Sequence, residues 1–203
     1  MNKLNTDLYY IPVSSLETKI KVKGSRFITG LKPVKSKEDA EQAYNDIRKK
    51  YYDATHNCFA YRIDANNFRY SDDGEPNGTA GKPILQMIDS KNLSEVLCVV
   101  TRYFGGTKLG KGGLIRAYSD AAKEALDKCK IQKKIRSRKV QIMFKYDHEN
   151  SVRKLLNKYS VILESSNYTD HIKMNILIPE SKTTNFKEDL IELTNNMIKI
   201  EIQ

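Results

Sequence analysis

An α+β chain folded as two domains is what this sequence predicts, and three observations predict it. Segments with a two-residue alternation of apolar and polar side chains are interleaved with segments whose apolar residues recur every three and four positions. From residue 140 onward the order is strand, helix, strand, strand, helix, strand, the βαββαβ pattern of a ferredoxin-like domain. The formal charge of +10 is unevenly divided: residues 1–136 hold 25 Lys and Arg against 16 Asp and Glu, whereas residues 137–203 hold ten against nine. A length of 203 residues suits two small domains. We expect them at 1–134 and 135–203.

Taken in order, Tyr9 to Val13, Lys19 to Val22 and Arg26 to Leu31 read as short strands, with Pro12 marking an edge. Ser36 followed by Lys37, Glu38 and Asp39 approximates a capping box, and Ala40, Ala43, Tyr44, Ile47 and Tyr51 form a helical stripe behind it. Asn57 to Ile63 alternates as a strand, and Asn66-Asn67 turns the chain into a second one at Phe68 to Ser71. A polar loop runs from Asp72 to Gly81. Pro83 opens a helix to about Ile88. Glu95 to Phe104 is a buried strand. Five glycines between Gly105 and Gly113 lead into a helix from Leu114 to about Cys129. The basic stretch Lys128 to Lys139 is expected to bridge the domains. Beyond it, Val140 to Tyr146, Val161 to Ser166, His171 to Ile178 and Ile198 to Ile202 read as strands, and Glu149 to Tyr159 and Ser181 to Asn195 as helices.

Hydrophobic residues make up 39% of the chain and charged residues 30%, which fits a folded globular protein. No stretch approaches the roughly 18 apolar residues of a membrane helix. Met1 to Tyr10 has no apolar leader segment, so the expected address is cytoplasmic. Cys58, Cys98 and Cys129 form no C-x-x-C pair and are odd in number, which argues against a disulfide framework or a structural zinc site. No metal or cofactor is expected. The basic excess points to a polyanion or to simple solubility.

Three segments carry candidate chemistry. Arg102 to Gly113 runs from strand through glycine loop to helix, and Gly105, Gly110 and Lys111 satisfy the spacing G-x-x-x-x-G-K. The next residue is Gly112 where a P-loop needs a Ser or Thr hydroxyl for magnesium, which argues against an ordinary nucleotidase. What remains is a phosphate-contact candidate: Gly105, Gly106 and Gly110 with outward backbone amides at a helix start, and Lys82, Arg102, Lys108, Lys111 and Arg116 as cations. The alternative is a tight turn whose glycines supply only positive φ. In the second segment Asp72, Asp73 and Glu75 lie within four positions, able to hold a hard cation, neutralise the basic loop or cap the next helix. In the third, His56 and Cys58 share a strand face beside Asn57. A Cys–His–acid nucleophile competes there with ordinary core packing. Tyr103 is a candidate for stacking on an unpaired base, or for the core.

Taken together, Gly24 to Phe27, His56 to Arg62, Ser71 to Ile84 and Val99 to Tyr118 resemble the YigZ/IMPACT family over most of residues 20–130. The one departure is Asn77, where Ser is more usual. The resemblance implies an N-terminal two-layer α/β domain similar to one in ribosomal proteins and in domain IV of elongation factor G. It also implies a ferredoxin-like C-terminal domain similar to the last domain of that factor. The resemblance implies that eukaryotic relatives regulate translation through a kinase pathway by means of an additional N-terminal domain; none is expected here, so that regulatory role is not carried over. The reading that results is an RNA- or ribosome-associated binding protein and not an enzyme. The alternatives are an enzyme acting on a phosphorylated or peptide substrate at the acidic and glycine loops, and a protein–protein adaptor.

Overall fold

The computed structural model describes residues 7–202; most of the N-terminal segment read above for a leader lies outside them. The elements are β1 (Leu8–Pro12), β2 (Leu16–Val22), β3 (Ser25–Pro33), α1 (Lys37–Lys50), β4 (His56–Arg62), β5 (Phe68–Ser71), α2 (Gly81–Ser90), β6 (Val96–Tyr103), α3 (Gly110–Lys128) and β7 (Ile131–Ile135). After these come β8 (Ser137–Phe144), α4 (Glu149–Lys158), β9 (Ile162–Tyr168), β10 (Ile172–Pro179), α5 (Thr183–Leu193) and β11 (Lys199–Ile202). They form two units: Tyr9–Lys134, and residues 135–202 with residues 7–8. The α+β class is as expected, and no helix among the described residues is long and apolar enough to cross a membrane.

In the first unit five strands pair antiparallel in the order β2-β3-β6-β4-β5. β6 is central and buried on both faces, so its apolar residues divide by alternation. Val96, Cys98 and Val100 pack with Phe27, Leu31, Cys58 and Ala60 under α2 and α3. Leu97 and Val99 pack with Phe59 and Tyr61 under Ala40, Tyr44 and Ile47 of α1. Helices therefore cover both faces of the sheet, because β4 and β6 carry apolar residues on both sides. Ser36 caps α1 by accepting from the Asp39 amide at 3.0 Å, and the Asp39 carboxylate accepts from the Lys35 amide. The β2–β3 hairpin turns through Lys23 and Gly24, both at positive φ (43° and 82°), the type I′ geometry that matches strand twist.

The basic stretch Lys128 to Lys139, read as a bridge, contains the boundary between the two units, and it crosses it as ordered strand. β7 pairs with β1 in a two-stranded sheet, and β8 begins at Ser137. Backbone pairing sets this structure: β7 has no buried residue, so no apolar period marks it.

The second unit has the strand order β11-β8-β10-β9, all antiparallel, with α4 and α5 on one face. That is the order a split βαββαβ chain must take when each helix returns it across the sheet. Val140, Ile142, Phe144, Ile172, Met174 and Ile176 meet Val152, Leu156, Phe186 and Leu190 in its core. The Asp7 carboxylate accepts from the amide and hydroxyl of Ser181, which ties the start of the described chain into this unit.

Candidate nucleic-acid interface

The ends of β4 and β6, the acidic loop and the start of α3 converge on one cleft. Its walls include His56, Glu75, Arg102, Phe104, Lys108 and Lys111, and it encloses about 350 Å³. The acidic and basic loops thus meet. Their junction is an ion pair: Arg102 Nη1 donates to Glu75 Oε1 at 2.6 Å, with the two side chains 6% and 4% exposed. Arg102 Nη2 also donates to the Ser25 hydroxyl. Arg102 is therefore committed beneath the cleft and is not a mobile surface cation. Tyr118 donates its hydroxyl to the same Glu75 oxygen at 2.8 Å, and burial pushes its phenol pKa well up, so it stays a donor.

His56 is oriented by the acidic loop. Its Nδ1 is 2.7 Å from the Asp73 carbonyl, which only accepts, so Nδ1 carries the proton. Nε2 lies 4.0 Å from Glu75 Oε1. Cys58 shares its strand face, as the alternation predicts, but is fully buried. Its thiol donates to the Asp72 carbonyl, and burial pushes its pKa up. A nucleophile needs access and a lowered pKa, so Cys58 has the attributes of core, not of catalysis.

The other two acidic residues serve the backbone. Asp72 accepts from the amides of Gly78, Ala80 and Gly81, all at 2.9 Å, and so caps α2 from eight residues upstream. Asp73 accepts from the Asn57 amide at 2.6 Å. Asn57 is buried and satisfied, bonded to Thr101 and to the Tyr51 carbonyl. These carboxylates converge on amides, and no group of three metal-ligating side chains occurs among the described residues.

The glycines of the basic loop divide by role. A Cβ at Gly105 would lie 1.9 Å from the Gly24 carbonyl carbon, so Gly105 is there for close backbone approach to the β2–β3 turn. Gly106 and Gly110 have φ of +86° and +71° and face open space. Gly112 has neither constraint: its φ is ordinary and nothing lies within 4 Å of a Cβ placed there. α3 thus begins with bare backbone, one turn earlier than the periodicity shows, and its first turn has no side-chain cap. Lys108 and Lys111 stand beside it in the cleft wall, exposed. Arg116 on α3 and Lys82 at the start of α2 are exposed outside that wall. None of these four side chains has a hydrogen-bond or ion-pair partner among the described residues.

Alternation also separates two aromatics. Tyr103 points to the α1 face, where its hydroxyl donates to Asp53 and the Arg26 guanidinium covers its ring at 4.4 Å. The aromatic in the cleft is Phe104, 47% exposed, with the Arg102 guanidinium 5.6 Å from its ring. In the sequence it reads as core because it closes an apolar strand. The signal for its exposure is its position one residue past the strand end, at the glycines.

Two family models match the chain: the Impact N-terminal domain over residues 23–126, and a domain of unknown function, DUF1949, over residues 142–196. The chain is 34% identical over 195 residues to the IMPACT family member YvyE of Bacillus subtilis (strain 168), covering 95% of this chain and 90% of that one. It is 30% identical over 196 residues to the IMPACT family member YigZ of Escherichia coli (strain K12), covering 95% and 96%. A solved structure described as a hypothetical protein superposes with a TM-score of 0.64 at 29% identity, covering 96% of this chain and 97% of that one.

Proposed function

The chain belongs to the IMPACT family, and from that premise we propose that it is an RNA- or ribosome-associated binding protein with a role in translation or its regulation. RNA phosphates are contacted at the start of α3. The observation that carries this is the uncapped first turn of α3, stripped of side chains at Gly110, Gly112 and Gly113 and flanked by Lys108 and Lys111 with no partner among the described residues. Free amides at a helix start and mobile ammonium groups together favour an anion. Glu75 does not oppose it, because Arg102 neutralises that carboxylate at 2.6 Å. Arg116 and Lys82 extend the positive field beyond the cleft. The translation part of the reading rests on what the family resemblance implies. A binding role is favoured over catalysis because the one thiol near His56 is buried and the acidic loop is occupied with backbone amides.

The test is fluorescence anisotropy of labelled RNA over a salt series, with the wild-type chain and a Lys108→Ala/Lys111→Ala/Arg116→Ala variant. The expected result is micromolar or tighter binding that falls steeply with salt. In the variant the slope of log K against log salt is shallower by about 2, at roughly 0.7 per lost phosphate contact on a single strand. Equal binding by the variant would overturn the site. Binding of a protein partner that survives nuclease, with no RNA bound, would favour the adaptor reading.

A further inference from the structure

Thr55 lies in the wall of the cleft and also in the wall of a second recess, of about 660 Å³, at the end of α1. Gln42, Asn45, Arg48, Lys49 and Tyr52 line that recess on the α1 side. We propose that the RNA held at the start of α3 is single-stranded and continues past Thr55 into this recess, where Arg48 and Lys49 take its phosphates and Tyr52 stacks on a base. This rests on the function proposed above and names its substrate class.

Three observations carry it. Tyr52 is 86% exposed, the most exposed large aromatic of the described residues, and makes no hydrogen bond or ring contact among them. Arg48 and Lys49 are exposed and have no ion-pair or hydrogen-bond partner among the described residues. Their neighbour Lys50 is spent on Glu17 at 2.7 Å. Basic residues in the last turn also complement the helix dipole. That accounts for the cations, and Gln42 donates to Asp46 at 3.0 Å, which leaves the bare Tyr52 ring and the Asn45 side chain beside them unexplained.

The third observation is continuity. The Phe104 amide donates to the Thr55 hydroxyl at 3.0 Å, and the Thr55 amide donates to the Arg102 carbonyl at 2.9 Å, so the two recesses share one backbone junction. From Tyr52 to Thr55 is a three-residue step, at most about 11 Å. An exposed aromatic therefore marks each end of a short path, Tyr52 at one and Phe104 at the other, each with free cations beside it. Asp53 and Asp73 lie along the path, and each already accepts a hydrogen bond, from Tyr103 and from the Asn57 amide. Stacking on aromatic faces requires bases that are unpaired, and a path with two such faces suits a strand of about four nucleotides or more.

The test compares a labelled oligouridine of about ten nucleotides, one of about three, and a duplex RNA of about ten base pairs. Each is titrated with the wild-type chain, an Arg48→Ala/Lys49→Ala/Tyr52→Ala variant and a Lys108→Ala/Lys111→Ala variant. The expected result is that the wild type binds the long single strand about tenfold or more tighter than the short one or the duplex. The α1 variant loses that advantage and binds the short strand as the wild type does. Long-strand binding that is indifferent to the α1 variant but lost in the Lys108/Lys111 variant would overturn this inference and leave the proposed function standing. Preference for the duplex would do the same. Absence of RNA binding by the wild type would overturn both.

Discussion

The guanidinium of Arg102 and the carboxylate of Glu75, 2.6 Å apart and both almost wholly buried, fasten the acidic loop to the end of the central strand. Ser25 and Tyr118 supply further hydrogen bonds, while Arg102 Nε has no partner among the described residues. A buried pair of this kind is costly to break and cheap to replace whole, since removing one member strands the other charge without solvent. We expect Glu75→Ala or Arg102→Ala to lose about 3–5 kcal/mol of stability in urea titrations. A double replacement by apolar residues of similar size should lose less than either single change. Additive losses would mean that the two charges do not depend on each other.

The thiols report on the same region. Burial raises all three thiols, Cys98 to about 12, but Cys58 and Cys98 are fully buried whereas Cys129 is partly exposed and open to reagent. At pH 8 a thiol of pKa about 12 is ionised roughly once in 10,000. Iodoacetamide at pH 8 should therefore label one cysteine quickly in the native protein and three in denaturant, as counted by intact mass. Fast native labelling of Cys58 would restore the enzyme reading.

Much of this was legible in the sequence, for identifiable reasons. The α1 stripe, its Ser36 cap and the βαββαβ order of the second unit all follow from periodicities that burial enforces. The glycine loop, the lysines within it and the basic half were equally visible, because composition alone carries them. What escaped depends on long-range partners. Arg102 and Lys108 look alike in sequence, but Arg102 meets Glu75 27 residues away, while Lys108 meets no ion-pair partner among the described residues. Asp72 reads as a turn or helix-capping carboxylate, but which amides it takes, six to nine positions downstream, is set by the path of the whole loop. β7 has no buried residue, so only its pairing with β1 makes it a strand. Tyr103 and Phe104, adjacent in sequence, part because strand alternation ends between them: Tyr103 lies half-buried on Asp53 and Phe104 is exposed in the cleft.

One pH dependence is built into the β2 side of the sheet. The Lys50 ammonium, and after it the Tyr51 hydroxyl, holds the Glu17 carboxyl down at about 2, below its ordinary 4.5. A depressed carboxylate stabilises the fold fully above its unfolded value, and the contribution is lost as pH falls from about 4.5 toward 2. Glu17 is about one-third exposed, so solvent limits the effect to about 1 kcal/mol or less. The stability gap between wild type and Glu17→Gln should be constant from pH 8 to 5 and close by pH 2 in urea titrations. A gap that persists at pH 2 would show that the pair does not set it.

Two glycines of one loop should answer in opposite ways. A methyl group at Gly105 meets the Gly24 carbonyl carbon at 1.9 Å and the Ser25 nitrogen at 2.2 Å, and neither backbone atom has room to retreat. Gly105→Ala should cost about 1–3 kcal/mol or more, as overpacking does. Gly112 sits in the first turn of α3 with open space around it, so Gly112→Ala should raise stability by about 0.5–1 kcal/mol through the lower entropy of the unfolded chain. The same methyl group stands where a phosphate would approach the free amides. RNA affinity should therefore fall in Gly112→Ala although the protein is more stable, and anisotropy beside urea denaturation reads both at once. A variant that gains stability and keeps its full RNA affinity would show that no phosphate is held by the first turn of α3.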